Sequence, residues 1–290
     1  MNNKNDKKQR LPTPVPESGP ANPGRRRALR LLVAGLAGAA LTGRTPGLAN
    51  NRGSAAWERI EPARERLNGA TPKDGAIKLD LPGVTQDGSA VPLTVEIDSP
   101  MSEDDFIEAV YLYAGGNPTP ELLDVYLTPL VGRARFSTRI RLNKSQSVLA
   151  LARTNRGEWL AGDREVRVTV SGCLSRDDTY DFDAVMRTRV RVPERLEPGQ
   201  IGEVRTLIDH PMETGLREDG EGQPIPERII NEFRAEFNGK SVLKARLYRA
   251  ISANPYLRFP IAPNGSGEAT FHWTEDTGES VSESFRMETG

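Results

Sequence analysis

Apolar and polar residues alternate with a period of two in many short stretches from residue 77 onward. In the stretch 135–142, apolar residues such as Ile140 alternate with polar ones such as Arg141. In the stretch 166–170, three valines alternate with polar residues. Such alternation places the apolar set on one face of a half-buried antiparallel strand.

The same pattern predicts further strands in both halves of the chain, separated by turn signals such as Asn238-Gly239. The additional strand candidates are 93–97, 106–113, 122–128, 148–152, 186–192, 203–208, 228–237, 241–248, 256–261, 268–273 and 281–287. Several short strands at regular spacing over about 100 residues are typical of a sandwich of immunoglobulin size. We therefore predict an all-β fold with two immunoglobulin-like β-sandwich domains.

A short helical segment precedes the first strands, over residues 50–75. Trp57, Ile60 and Leu67 stand in loose helical register, and Pro62 interrupts them. A proline inside a helix removes a backbone donor and clashes with the preceding turn. The pattern predicts one or two short helices here.

The N-terminus carries an export pattern. Paired arginines within 24–30 precede a short apolar run, 31–41, which is shorter than the roughly 20 residues of a membrane span. The small residues of 47–49 suit a signal peptidase. The alternative, a buried helix with basic flanks, fits poorly with the long polar leader before it. We expect residues 1–49 to be a twin-arginine signal peptide and the mature chain to lie in a bacterial periplasm, without a membrane span.

Composition and charge exclude several functions. The formal net charge of -1 argues against a nucleic-acid or anionic-membrane surface. The two histidines, His210 and His272, and the single cysteine, Cys173, have no short ligand spacing among them. We therefore predict no metal site and no cofactor, and we expect His272 on the surface, opposite its apolar neighbours.

The lone cysteine is the main candidate for chemistry. Cys173 follows a predicted strand and stands between Gly172 and Leu174, which is not a core context. An unused thiol in an oxidising compartment is a liability. A thiolate attacks electrophilic sulfur and can leave again, so this cysteine could hold a sulfur group and pass it on. The alternatives are a buried cysteine acting as a small hydrophobe and a nucleophile with His210 as its base.

Two sets of sequence motifs indicate a family. The first set comprises 77–82, 91–95, 137–141 and 165–173, the last reading EVRVTVSGC. The second set comprises 210–217, reading HPMETGLR, with 224–226, 238–240 and 251–257. With these motifs, residues 77–173 resemble the Y subunit of the sulfur-oxidation (Sox) carrier, and residues 209–287 resemble its Z subunit.

The resemblance implies a fold, a function and a site. In that family two β-sandwich subunits form a heterodimer, and the Y subunit carries sulfur intermediates on a cysteine in a glycine-rich C-terminal arm. It presents them to periplasmic enzymes. The carrier cysteine falls on Cys173 here, with Ser171, Gly172 and Leu174 in place of the arm. The chain continues beyond this point, so the cysteine is tethered on both sides, and the motif 210–217 is expected to build turns and the contact between the halves.

A fused arrangement of this kind resembles carriers associated with quinoprotein dehydrogenases. The predicted segments are the signal peptide 1–49, the helical segment 50–75, a Sox Y-like sandwich 76–173, an arm and linker 174–200, and a Sox Z-like sandwich 201–290. We predict a periplasmic, non-enzymatic covalent carrier of sulfur intermediates, with the two halves paired within the chain and with periplasmic redox enzymes or a quinoprotein dehydrogenase as partners. The alternatives are an accessory binding module of such a dehydrogenase, in which the cysteine is incidental, and a cysteine-dependent enzyme.

Overall fold

The computed structural model describes residues 55–169, here called the first half, and residues 185–290, the second half. Both belong to one compact unit, Asn51–Gly290. The first half contains α1 (Ala56–Arg59), α2 (Glu61–Leu67), β1 (Lys73–Asp74), β2 (Ile77–Asp80), β3 (Val84–Thr85), β4 (Val91–Ile97), β5 (Ile107–Ala114), β6 (Glu121–Leu127), a 3₁₀ helix (Pro129–Val131), β7 (Ala134–Ile140), β8 (Gln146–Thr154) and β9 (Trp159–Val168). The second half contains β10 (Thr188–Arg191), β11 (Arg195–Leu196), β12 (Gly202–Ile208), β13 (Ile230–Phe237), β14 (Lys240–Leu247), β15 (Tyr256–Ile261), β16 (Gly267–Glu275) and β17 (Ser280–Thr289).

The strands form two sheets, and each half contributes strands to both. The large sheet has the order β1-β9-β8-β5-β6-β14-β13-β16-β17-β11, with β3 also paired to β9. The small sheet has the order β10-β12-β15-β7-β4-β2. The predicted all-β sandwich architecture is therefore confirmed.

The two halves join edge to edge in both sheets. In the large sheet β6 pairs with β14, with Val125 opposite Ala245. In the small sheet β7 pairs with β15, with Ser137 opposite Arg258. We call this junction the seam. The predicted pairing of the halves is thus a continuation of both sheets from one half into the other.

The core between the sheets is a single apolar cluster that includes residues of both halves. In the second half it contains four fully buried aromatic side chains, among which Phe233 lies 5.2 Å from Trp273 between ring centroids. Burial of this shared apolar surface stabilises the halves together, at roughly 25 cal/mol per Å² removed from water.

The two helices pack on the outer face of the large sheet. Ala63 and Leu67 of α2 are buried there against Tyr111 and Leu151. Pro62 lies in the first turn of α2, where its missing N–H costs nothing. No helix among the described residues is long and apolar enough to cross a membrane.

The described part of the predicted linker, 174–200, contains two strands. β10 pairs antiparallel with β12, and β11 pairs parallel with β17. Leu196 of β11 is buried and contributes to the shared core. These two strands therefore form the second-half edges of the small and the large sheet, respectively. The predicted signal peptide, 1–49, lies outside the described residues.

Candidate carrier site

The predicted site residues lie outside the described part of the chain: Cys173, Ser171, Gly172 and Leu174. The described residues that flank them in the chain are Thr169, directly after β9, and Val185, before β10.

The chain leaves the large sheet from a strand end that is held on both sides. The N–H of Val168 donates to Ser145 Oγ at 2.9 Å, and that hydroxyl donates to the carbonyl of Val168 at 3.3 Å. On the other side, the N–H of Thr169 donates to the carbonyl of Thr85 at 3.1 Å. Because β3 and Ser145 both bind the end of β9, the backbone is held in place as far as Thr169.

The chain returns to the small sheet at a second fixed point. The N–H of Met186 donates to the carbonyl of Asp209 at 2.9 Å, and the N–H of Asp209 donates to the carbonyl of Arg187 at 2.9 Å. The carboxylate of Asp209 also pairs with Arg187, at 3.5 Å, and with Arg189. Asp209 directly follows β12, so these contacts bind the start of β10 to that strand.

Both flanks lie at the same end of the sandwich. β9 ends beside the start of β8, and the short connection 141–145 places the end of β7 there as well. Antiparallel pairing continues from β7 through β15 and β12 to β10, so β10 begins at this end. β9 lies near the first-half edge of the large sheet, whereas β10 forms the second-half edge of the small sheet. The chain therefore leaves the large sheet near its first-half edge and returns at the second-half edge of the small sheet. Both points lie at one end of the sandwich, which we call the connector end.

The motif HPMETGLR also lies at the connector end, and its histidine is part of a buried network. His210 is fully buried, and its Nε2 lies 2.8 Å from Glu275 Oε1. The N–H of Met212 donates to His210 Nδ1 at 3.0 Å. Since Nδ1 accepts this bond, the neutral ring carries its proton on Nε2 and donates it to Glu275. Arg228 Nε donates to the same carboxylate oxygen at 2.7 Å, and Thr277 donates to the other.

Burial governs the protonation of this pair. Burial lowers the pKa of His210, and the hydrogen bond and charge of Glu275 only partly oppose it. Burial would raise the pKa of Glu275, but hydrogen bonds from Thr277, His210 and Arg228 outweigh it and the pKa is lowered. At neutral pH the network therefore holds a neutral imidazole and an ionised carboxylate.

These contacts bear on the proposed cysteine–histidine pair. Both ring nitrogens of His210 are engaged in the second half and the side chain has no exposed surface. A general base must reach the proton it removes through a free ring nitrogen. His210 is therefore a structural residue of the turn, as expected for this motif.

The remaining histidine, His272, lies in β16. His272 is partly exposed, as predicted, and its Nδ1 lies 2.7 Å from Ser282 Oγ. In the described ranges, no group of three or more His, Cys, Asp or Glu side chains is placed to hold a metal ion.

The structure contradicts the position that the sequence pattern predicts for the side chain of Arg141. The alternation placed it on the polar face of its strand, yet only 6% of its surface is exposed. Its Nη1 donates to the carbonyl of Met212 at 2.6 Å, and its Nη2 donates to that of Pro211 at 3.1 Å. A first-half guanidinium thus binds backbone carbonyls of the second half, because the seam covers the connection that follows β7. It holds the HPMETGLR turn against the first half.

A second buried polar cluster, which the sequence analysis missed, joins α2 to the seam. Asp124 of β6 is 2% exposed, and its Oδ2 accepts bonds from Arg66 Nη2 at 3.2 Å and from the hydroxyl of Tyr248 at 3.1 Å. The Arg66 guanidinium also lies 4.1 Å from the ring centroid of Tyr111. Burial raises the pKa of Tyr248 to about 12, so its hydroxyl is a donor at neutral pH. The available signal was an aspartate in the apolar run ELLDVYL.

The chain matches two family models. "Sulfur oxidation protein SoxY" covers residues 64–173, and "Sulphur oxidation protein SoxZ" covers residues 190–286. No curated protein sequence matches the chain.

Some solved structures are similar to parts of the chain. The sulfur carrier protein SoxY from Chlorobium limicola f thiosulfatophilum is 22% identical over 39% of this chain and 98% of its own, with a TM-score of 0.33. A superoxide reductase (neelaredoxin) from Ignicoccus hospitalis is 19% identical over 39% of this chain and 98% of its own, with a TM-score of 0.30. Similarities this remote add no conclusion about function.

The two family models match separate, consecutive parts of the chain and together span most of it. The chain therefore belongs to the sulfur-oxidation families SoxY and SoxZ, with one domain of each in tandem on a single polypeptide.

Proposed function

We propose that this chain carries sulfur intermediates covalently on the thiol of Cys173, in the periplasm, and presents them to partner enzymes. The tandem SoxY and SoxZ domains support a sulfur-carrier function. The observation that carries the assignment of Cys173 is the end of the SoxY match: it stops at residue 173, which is the only cysteine of the chain.

The chemistry requires only a nucleophilic thiolate and a good leaving group. The Cys173 thiolate attacks the sulfane sulfur of a donor such as thiosulfate, a sulfur–sulfur bond forms, and sulfite departs with the electrons of the broken bond. The product is a persulfide on the cysteine, and no external oxidant is consumed. A second thiolate can remove the terminal sulfur by the same displacement.

The fixed flanks limit where the thiol can act. Three residues lie between Thr169 and Cys173, so four steps along the chain of at most about 3.5 Å each place their Cα atoms no more than about 14 Å apart. The thiol is therefore confined to the connector end, and the chain on both sides of it must fit into any partner that it enters. We expect partners with an open cleft there. Export by the twin-arginine route and partners among periplasmic redox enzymes or a quinoprotein dehydrogenase belong to the same proposal.

The test is intact mass spectrometry of the purified full chain after incubation with thiosulfate, with and without reductant. We expect a mass increase of one sulfur atom that the reductant removes and that Cys173→Ser abolishes. The double variant Cys173→Ser/Ser175→Cys restores a thiol two residues further on and is the matched control. It should form the adduct but lose transfer to a partner thiol, because the position of the thiol is what partners recognise.

An unmodified wild-type thiol under every sulfane donor would count against the carrier function. Undiminished activity of the Cys173→Ser variant with a partner dehydrogenase would instead support the accessory-module alternative. Turnover of a sulfur substrate by the chain alone would support the enzyme alternative.

A further inference from the structure

The outer face of the small sheet carries a groove of about 180 Å³. It lies where β7, β15 and β12 run side by side, and its lining includes Arg133, Arg135, Ser137, Glu203 and Arg258. Three guanidinium groups therefore surround a space that has room for a small anion.

Two of these three arginines form only long ion pairs with carboxylates, and the third forms none with a described residue. Arg135 Nε lies 3.9 Å from Glu96 Oε2, and Arg258 Nε lies 3.7 Å from Glu203 Oε2, both beyond hydrogen-bond distance. Arg133 is exposed and forms no ion pair with any described residue. In contrast, the neighbouring Arg205 binds Glu203 at 2.6 Å. The shorter of the two contacts of Glu203 is thus to an arginine that does not line the groove.

The hydrogen bonds of two of these arginines also favour a negative charge in the groove. Arg258 Nη2 donates to Ser137 Oγ at 3.3 Å, which orients its guanidinium toward the groove. The buried Nε of Arg135 has no hydrogen-bond partner among the described residues. An unsatisfied buried donor costs roughly 1–3 kcal/mol in general, and a nearby negative charge offsets part of that cost.

The charges around the groove leave an excess of two positive units. The cations are Arg133, Arg135, Arg205 and Arg258, and the anions are Glu96 and Glu203. Guanidinium groups bind tetrahedral oxyanions through paired N–H donors. We propose that this groove is a binding site for a small tetrahedral dianion of the sulfate and thiosulfate class.

The groove lies away from the connector end. It lies beside the starts of β7 and β12 and the end of β15, whereas the connector end holds the opposite ends of these strands. A strand of seven residues spans about 23 Å. The site would therefore sense or anchor an oxyanion at the end of the sandwich opposite to the connector end.

The test is isothermal titration calorimetry of the full chain carrying Cys173→Ser, so that thiosulfate cannot react with the thiol. Sodium sulfate, thiosulfate and phosphate are titrated at ionic strength held constant with sodium chloride, and sodium nitrate is the planar monoanion control. We expect saturable binding of the tetrahedral anions and none of nitrate. Arg133→Gln with Arg258→Gln should weaken binding at least about tenfold, because two of the three guanidinium groups are lost.

The matched control is Arg286→Gln, which removes an exposed arginine of the large sheet outside the groove. Should the double variant fold poorly, the single variant Arg133→Glu provides the same test, because Arg133 is exposed and reversing its charge breaks no ion pair with a described residue. Equal affinity in the groove variants and in Arg286→Gln, or heats of sulfate and nitrate that do not differ, would overturn the proposal.

Discussion

His210 and Glu275 give the second half a defined response to pH. The ordinary pKa of histidine is 6.5, and burial lowers that of His210 in the folded protein. The unfolded chain therefore binds a proton more readily, and stability is lost as the pH falls through about 6.5 toward the folded value. Glu275, whose pKa is also lowered, keeps its contribution above its ordinary value of 4.5 and loses it below. Acidification destabilises the protein through both groups.

The substitution His210→Gln tests this at the residue scale. It leaves Glu275 without its imidazole donor, so we expect the free energy of unfolding at pH 7.5 to fall by about 1–3 kcal/mol in urea titrations. Between about pH 7 and 5 its stability should vary less with pH than that of the wild type, since the group that titrates there is gone. His272→Gln, which replaces the other histidine, at a partly exposed position, is the matched control. If the stability of His210→Gln varied with pH as much as that of the wild type, His210 would not control the pH dependence.

At the scale of elements, α2 depends on one side chain for its polar contact with the sheet. Arg66 supplies a charged donor to buried Asp124 and lies over the ring of Tyr111. Burial raises the pKa of Asp124, and the charge of Arg66 opposes that rise. We expect Arg66→Ala to lower the free energy of unfolding by about 1–3 kcal/mol, because it leaves a buried carboxylate with fewer donors.

Hydrogen exchange locates this loss within the fold. Amides of α1 and α2 should exchange at least about tenfold faster in Arg66→Ala, and their increase should exceed that of the amides of β16. Arg64→Ala is the matched control, since this arginine is exposed on the same helix. Similar exchange in both variants would mean that the apolar contacts of Ala63 and Leu67 alone hold the helices.

The elements were more predictable than their contacts. Period-two alternation located most of the strands within a few residues, because a sheet with one buried face requires it. It misplaced Arg141, since burial there comes from the other half of the chain and leaves no local signal. Asp124 stands out as an acidic residue in an apolar run, but its partners come from α2 and from a residue beyond β14, so the cluster that it forms has no local pattern. The surroundings of Cys173 stay a prediction, supported by the end of the SoxY match.

At the scale of the whole molecule, the seam is continuous through both sheets and the core. Backbone pairing joins β6 to β14, the apolar cluster includes both halves, and Arg141 donates to carbonyls across the junction. The covalent link between the halves runs through 170–184. Association therefore does not depend on that link alone, although the link raises the effective concentration of one half for the other to about millimolar.

A protease site inserted after Asp177 would test this. After cleavage we expect two fragments on a denaturing gel and one particle of unchanged size on a sizing column at micromolar concentration, because the seam buries backbone and apolar surface that neither half covers alone. Arg141→Ala should weaken the cleaved complex enough to release some free fragments, while the uncleaved variant stays one particle. Arg286→Ala, an exposed arginine distant from the seam, should behave like the wild type. Complete separation of the wild-type fragments would show that the link is what holds the SoxY and SoxZ domains together.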